Sequence, residues 1–286
     1  MISSRFEKWW YTAIYMMLGI IGIGSVFPFL YVVSVSLTPL SEVIKHGGFI
    51  IIPRGITLEA YREVLLQSTI PRALLNTLFI TGVGTALSLI VTILMGFGVS
   101  KRGMPGKSIY LFLVVFTLLF QGGIIPTYLV VKELGLLNTL ASLFVPTLLS
   151  GFNLLIVKTF FEQLPEELED AAVIDGCSDP GILFRIFLPL SMPVVATVGL
   201  FYAVHYWNVY FPGILYITKP ELRPLQVALQ QLLVSPDANQ ADAVVEVPLE
   251  TMKMAAVVVS TLPIVIVYPF LQKYFVKGAT LGAIKG

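Results

Sequence analysis

The chain has 286 residues, 56% of them hydrophobic and only 12% charged, with a mean hydropathy of +0.87. Soluble domains carry about 25% charged residues, so half the usual solvating charge is missing and lipid is the expected solvent. A net charge of +1 excludes an overall basic binder of nucleic acid, one cysteine (Cys177) excludes an intramolecular disulfide or a multi-cysteine metal cluster, and His46 and His205 lie too far apart to begin a zinc site.

Asp, Glu, Lys and Arg are absent from 9–41, 73–100, 108–131, 134–157, 186–218 and 254–272. Each gap is long enough to cross a hydrocarbon core that needs about 20 helical residues. The runs do not alternate as barrel strands do, and a helix satisfies its own backbone in lipid. The sequence therefore predicts an all-α integral membrane protein with six transmembrane helices, at about 12–36, 74–98, 108–131, 136–158, 190–216 and 254–274. The first run follows Arg5 and Lys8 like a signal peptide. Its apolar stretch exceeds the usual h-region and no clear cleavage site follows, so it reads as an uncleaved helix.

Between the first two helices, residues 37–73 hold Pro39, Pro53, Pro71 and Gly47-Gly48. There Thr57 is placed to cap a short amphipathic helix with Leu58, Tyr61 and Leu65 on one face. The next loop, 99–107, carries Lys101, Arg102 and Lys107 with no acid. By the positive-inside rule it is cytoplasmic, and both termini fall on the same side. Residues 132–135 form a tight outer hairpin. The last outer loop, 217–253, contains an uncharged stretch from Pro224 to Pro236 that is too short to span and reads as interfacial or packed on the protein.

The remaining cytoplasmic loop, about 159–189, is long and acidic. Glu162, Glu166, Glu167, Glu169, Asp170, Asp175 and Asp179 face Arg185 alone. Pro165 and the three glutamates suit a helix start. Leu168, Ala171, Ala172 and Asp175 share a face of mostly small residues, and Gly176 suits a left-handed stop. Ser178-Asp179-Pro180 starts a second helix, Phe184, Phe187 and Leu188 offer an apolar face, and Pro189 leads into the fifth span.

Asp170-Ala171-Ala172, three residues, Gly176, nine residues, then Ile186-Phe187-Leu188-Pro189 resembles the Glu-Ala-Ala loop of binding-protein-dependent ABC importer permeases. Every fixed position agrees in spacing; Asp170 stands where Glu is usual. The resemblance extends over the chain. Gln121 to Leu129, Leu134 to Thr139, Trp207-Asn208 and Pro224-Leu225-Gln226 resemble the carbohydrate branch, of the maltose-permease (MalG-like) and LplC-like kind. It implies a type I importer (MetI-like) permease fold with a cytoplasmic coupling helix, and it gives Asp170, Ala171, Ala172, Asp175, Gly176, Ile186, Leu188 and Pro189 an ATPase-coupling role. It further implies a bacterial or archaeal cell membrane, a second similar permease, two ATPase subunits, an extracytoplasmic solute-binding protein and a carbohydrate substrate, an oligosaccharide or polysaccharide fragment. The tail from Lys277 to Gly286 is similar to one that reaches between the ATPases; a flexible glycine-rich end is the plain alternative.

No phosphate-binding Gly-x-x-x-x-Gly-Lys-Ser/Thr loop is present, so ATP is expected to be used by partner subunits, with no cofactor bound by this chain and no catalytic or metal site. The spans carry no carboxylate, Lys or Arg, which argues against an ion-coupled secondary transporter. A non-transporting membrane scaffold has no positive feature. In the outer half of the fifth span, His205 lies among Tyr202, Tyr206, Trp207, Asn208 and Tyr210. Such aromatic and amide groups suit sugar rings and equally form an interfacial belt. Tyr202, Tyr206, Trp207 and Asn208, with Tyr128 and Gln121 in the third span, are the candidates for a substrate path. Gln121-Gly122-Gly123 before Pro126 is expected to loosen its helix.

Overall fold

The computed structural model describes residues 5–66, 68–234 and 249–283, with side chains described for 9–66, 68–234, 250–267 and 269. Among the described residues there is helix and no strand. The helices are α1 (Arg5–Ser36), α2 (Leu40–Lys45), α3 (Glu59–Leu66), α4 (Ile70–Ser100), α5 (Lys107–Leu119), α6 (Ile124–Glu133), α7 (Gly151–Phe161), α8 (Glu166–Ile174), α9 (Asp179–Ile182), α10 (Leu188–Leu190), α11 (Met192–Trp207), α12 (Phe211–Tyr216), α13 (Leu225–Val234) and α14 (Leu249–Ala283). The chain divides into two compact units: Met1–Pro71 with Leu229–Pro263, and Arg72–Ala228 with Ile264–Gly286.

In the first unit α1 is bare along most of its length. Trp9, Tyr15, Met17 and Leu18 are all exposed, on different sides of the helix, as befits a span facing lipid all round. Its end is anchored by polar contacts. Ser36 shares a hydrogen bond of 2.6 Å with Tyr61, and the Tyr31 hydroxyl donates to the Gly48 carbonyl at 3.0 Å. Val35, Val43 and Ile50 form a small core there. The short helix after Thr57 exists as α3, and Thr57 Oγ1 accepts from the Glu59 N–H at 3.3 Å. Its buried face is Ala60 and Val64, whereas Leu58 and Leu65 stay exposed, so the sequence-based face is displaced by one position.

The second unit is built on α4, an unbroken helix of 31 residues. Polar side chains along α4 fix its neighbours. Thr77 Oγ1 accepts from the Leu225 N–H at 2.8 Å, Ser88 pairs with the Tyr206 hydroxyl at 2.8 Å, and Thr92 pairs with the Tyr202 hydroxyl at 2.7 Å. Buried hydroxyls are costly unless paired, so these bonds fix the rotation of α11 against α4. Close approach is needed at Gly84, where an added Cβ would stand 2.9 Å from the Tyr206 ring and 3.1 Å from Phe144. Replacing Gly84 with Ile is expected to cost about 1–3 kcal/mol by overpacking. A lowered unfolding midpoint of the detergent-purified protein checks this; an unchanged midpoint contradicts the packing.

Among the described residues three helices, within Trp9–Ser36, Ile70–Ser100 and Glu250–Val267, are long and apolar enough to cross a membrane unbroken. The other three apolar runs are bent pairs, so there are six spans if each pair counts as one. α5 and α6 meet at 116°, the turns Leu140–Thr147 meet α7 at 50°, and Asp179–Leu190 meets α11 at 84°. Continuous helices over 108–131, 136–158 and 190–216 are thus corrected. Gly123, at φ 84°, breaks the first. In the second, Pro146 lies in a 3₁₀ turn and Ser150 Oγ accepts from the Asn153 N–H to start α7 anew. The third run ends at Trp207, and Pro212 begins α12. Of the tail similar to an ATPase-reaching segment, residues to Ala283 continue α14; 284–286 and the side chains of the whole tail lie outside the described residues. Pro236 does as well, and the preceding uncharged stretch forms α13.

Candidate functional site

The acidic loop after α7 folds as its local chemistry dictates. Pro165 precedes α8, and Glu166, Glu167 and Glu169 occupy the first turn, where the helix dipole favours anions. α8 stops in a Schellman motif. The Gly176 N–H donates to the Val173 carbonyl at 3.0 Å, and the Cys177 N–H donates to the Ala172 carbonyl at 2.9 Å. Gly176 sits at φ 77° to make that turn. Ala172 and Cys177 pack inward as the motif's apolar contact.

A π turn, Leu183–Phe187, follows α9. It adds a residue to the turn and shifts which side chains face inward. Phe187 is buried, edge-on to Phe97 at 5.2 Å and to Phe161 at 5.6 Å. Phe184 points out, Ile186 and Leu188 are half-buried against the core, and Pro189 is exposed. The apolar face expected from Phe184, Phe187 and Leu188 is therefore split between the core and the surface. On α8 the outward stripe is Glu167, Asp170, Ala171 and Ile174, the i, i+3, i+4, i+7 face. Ile174 is 85% exposed, the most exposed large apolar side chain of the loop. Asp175 caps the helix end and is exposed.

The loop is held by the basic residues of 101–107. Lys101 Nζ pairs with Glu169 on α8 and with Asp179 on α9, the latter at 3.3 Å. It also lies 4.5 Å from the centre of the Phe97 ring and 6.0 Å from that of Phe187, a cation–π seat in a largely buried position. Arg102 pairs with Glu166. Lys107 and Lys158 reach Glu162 at 2.8 and 2.7 Å. Burial pushes the Glu162 carboxyl up, but the hydrogen bonds and charges of Lys107 and Lys158 outweigh it and hold it below the usual carboxylate value. Glu167, Asp170 and Asp175 have no ion-pair partner among the described residues. The acids thus divide into an inner set that fastens the loop and an outer set left free. Sequence reasoning used Lys101, Arg102 and Lys107 only to orient the chain and missed this pairing. The clue was the match of a purely basic loop and a purely acidic one assigned to one side.

A second site lies where the bent spans break. A cavity of about 970 Å³ is lined by Gln121, Gly123, Asn153, Tyr202, His205 and Tyr216 among others. Of the six side chains offered for a substrate path, Tyr202 and Gln121 line it and the other four do not. Tyr206 is fully buried, its hydroxyl bound to Ser88 and donating to the Thr147 carbonyl at 3.2 Å. Trp207 is 7% exposed and Gln226 donates to its carbonyl. The Asn208 amide bonds back to the Val204 carbonyl at the end of α11. Tyr128 stacks behind the lining on Tyr216, at 6.3 Å. Asn138 serves as a fastener. At φ 58°, a conformation that asparagine tolerates, its Oδ1 accepts from the Thr218 N–H and hydroxyl, both at 2.8 Å.

Among the described residues no group of His, Cys, Asp or Glu could hold a metal ion. The permease protein YtcP of a polygalacturonan/rhamnogalacturonan transport system, from Bacillus subtilis (strain 168), is 46% identical over 266 residues, covering 91% of this chain and 93% of that protein. Protein LplC of the same organism is 46% identical over 275 residues, covering 95% and 93%. The trehalose/maltose transport permease MalG of Thermococcus litoralis is 31% identical over 268 residues, covering 91% of each. In a crystal structure of a bacterial ABC transporter involved in the import of the acidic polysaccharide alginate, one chain matches with a TM-score of 0.90 and 31% identity, over 96% of this chain and 99% of that one. Residues 2–280 match the family model described as the inner membrane component of binding-protein-dependent transport systems. With the broken apolar spans and the Asp170–Pro189 motif in place, the chain belongs to that family of membrane transport components, which are permeases and not enzymes.

Proposed function

We propose that the chain is the membrane-spanning permease subunit of an ATP-driven importer that moves a carbohydrate, an oligosaccharide or polysaccharide fragment, into the cytoplasm. The carbohydrate reading is supported by relatives whose names specify polygalacturonan, arabinooligosaccharide and trehalose/maltose systems. Its partners are a second similar permease, two cytoplasmic ATPase subunits that bind and hydrolyse ATP, and an extracytoplasmic solute-binding protein. Both termini and the 159–189 loop lie in the cytoplasm. An ion-coupled transporter and a membrane scaffold are not favoured by the same comparisons.

The observation that carries the coupling role is the outward stripe of α8. Ile174 and Ala171 offer a small apolar knob, and the unpaired Glu167 and Asp170 flank it. An amphipathic helix face of this kind fits a groove on a partner surface. Asp175, Gly176 and the buried Ala172 shape the helix end, while Ile186, Leu188 and Pro189 join it to the fifth span. Movement of the ATPases is then passed as rigid-body movement to the spans. Mutation of Ile174 to Glu tests this in proteoliposomes holding the complete importer. It is expected to reduce ATP-driven sugar uptake at least about fivefold with the permease still in the membrane. Uptake at the original rate would remove α8 as the docking element.

A further inference from the structure

We propose that the strap after α2, residues 46–54, dips into the lipid leaflet at the Ser36 end of α1 and seats Arg54 on a phospholipid phosphate. This contact lies outside the transport reading and holds for any substrate.

Depth comes first. Trp9–Ser36 has 28 residues, about 42 Å of helix against a hydrocarbon core of about 30 Å, so a centred helix stands about 6 Å clear at each end. Gly47 and Gly48, at φ 67° and 82°, turn the chain back after α2, and the strap then climbs along the last turns of α1. The Tyr31 hydroxyl donates to the Gly48 carbonyl at 3.0 Å, the Ser34 hydroxyl to the Ile51 carbonyl, and the Arg54 N–H to Thr38 Oγ1 at 3.3 Å. Phe49 reaches lower: its ring centre lies 5.8 Å from that of Tyr31 and 5.9 Å from that of Phe27. Those two residues precede Ser36 by about 8 and 14 Å along the helix axis. Phe49 is thereby just inside the hydrocarbon, and Arg54, bonded beyond the helix end, is among the headgroups.

Continuity with α1 names the occupant. Ile23, Phe27, Leu30 and Tyr31 share one face of the helix, and the first three are exposed on it. Phe49 lies against that face and extends it. Ile44, Ile51 and Ile52, close to Phe49 in the chain, are exposed as well, Ile52 at 76%. Water is a poor setting for four such side chains in one short segment, and lipid is the solvent that the adjoining face already has. Irregular backbone is tolerated at this depth because α1 hydroxyls meet the carbonyls of Gly48 and Ile51.

Arg54 supplies the polar half. Its guanidinium donates to His46 Nε2 at 2.9 Å. Arginine only donates, so the imidazole accepts there and its Nδ1–H donates to the Glu42 carbonyl at 2.9 Å. His46 therefore holds the guanidinium without neutralising it. Arg54 has no ion-pair partner among the described residues, whereas Lys45 is paired with Glu42. A guanidinium with free N–H groups at headgroup level matches phosphate oxygens in geometry and in charge. Apolar side chains below and a basic one above are the pattern of an interfacial segment.

The test uses the complete importer, solute-binding protein included, in liposomes of equal parts phosphatidylglycerol and monoglucosyldiacylglycerol. Phe49→p-benzoylphenylalanine and Ile52→p-benzoylphenylalanine place a photo-cross-linker at exposed positions where folding is not at stake, and Ile23→p-benzoylphenylalanine is the control on the bare face of α1. Adducts on the permease are identified by mass. Both strap positions are expected to yield lipid adducts, with phosphatidylglycerol favoured about fivefold over the glycolipid. Adding Arg54→Gln is expected to keep the lipid adducts and bring the two lipids within about twofold of each other. Cross-links from the strap to the other permease, to the solute-binding protein or to nothing, while Ile23 reaches lipid, overturn the insertion. If Ile23 meets only protein, the lipid contact of the strap falls with that of α1. Equal yields of the two lipids with Arg54 present, or a preference intact in Arg54→Gln, overturn the phosphate seat.

Discussion

Replacing Lys101 by Met is expected to lower ATP-driven uptake by the reconstituted importer at least about tenfold, while ATP hydrolysis by the complex continues. One ammonium group ties α8 through Glu169 and α9 through Asp179 to the end of α4, and it does so over the rings of Phe97 and Phe187. Its side chain is 20% exposed. Removing the charge leaves Glu169 half-buried beside an apolar surface without its counter-ion, and the loop loses the ion pairs that tie both of its helices to the end of α4. The core beneath, from Phe161 to Phe187, is unchanged, so the fold survives. A push on α8 is then taken up by slack and no longer turns α11. Sugar molecules moved per ATP hydrolysed is the deciding quantity. A simple stability defect lowers uptake and hydrolysis together and leaves that ratio alone. Lys101→Arg keeps the charge and both carboxylate partners and is expected to recover most of the ratio.

Gly176 carries the second large effect. Its φ of 77° lies where L side chains are strained, and no atom stands within 4 Å of the place a Cβ would occupy. Space is therefore available and conformation is the constraint. Gly176→Val is expected to open the Schellman turn, free the Gly176 and Cys177 N–H groups, re-aim α9 and cut coupled uptake at least about tenfold. Gly176→Asn has a similar bulk but tolerates the left-handed region, so it is expected to keep most of the uptake. Loss in both variants would mean that bulk at the surface is the harm. Retention in both would mean that the turn is not under strain during coupling.

The spans were legible in the sequence because lipid excludes charge whatever the helix geometry, and six charge-free runs state that directly. Their breaks were much less so. Apolarity names the solvent of a residue and says nothing of backbone direction, so Gln121-Gly122-Gly123 read as a loosened helix, whereas the break between α5 and α6 turns the chain through 116°. The helix boundaries within Asp170–Pro189 were legible because their grammar is local: Pro165 precedes α8, Gly176 ends it, and Ser178 to Pro180 starts α9. Phe184 and Phe187 were assigned to one face by regular spacing, and a π turn lying between them sends one to the core and the other to the surface. The Lys101 pairs needed tertiary proximity.

The contrast between bare α1 and the interrupted spans bears on how the protein is made. Trp9 to Ser36 is a long apolar helix whose backbone ladder is interrupted at Pro28 alone, so it can leave the translocon and rest among lipid tails. The segment from α5 to α6 cannot, because the N–H groups of Gln121 to Ile125 donate to no carbonyl among the described residues and each unmet N–H costs several kcal/mol in hydrocarbon. It must stay in a watery or protein-lined setting until the other walls of the cavity are in place. Biogenesis is thereby staged by backbone bonding: the continuous helices enter as finished pieces, and the broken ones commit to the bilayer as a group. The same unmet bonds that shape the cavity in the finished protein thus set the point in synthesis before which the chain depends on its insertion machinery.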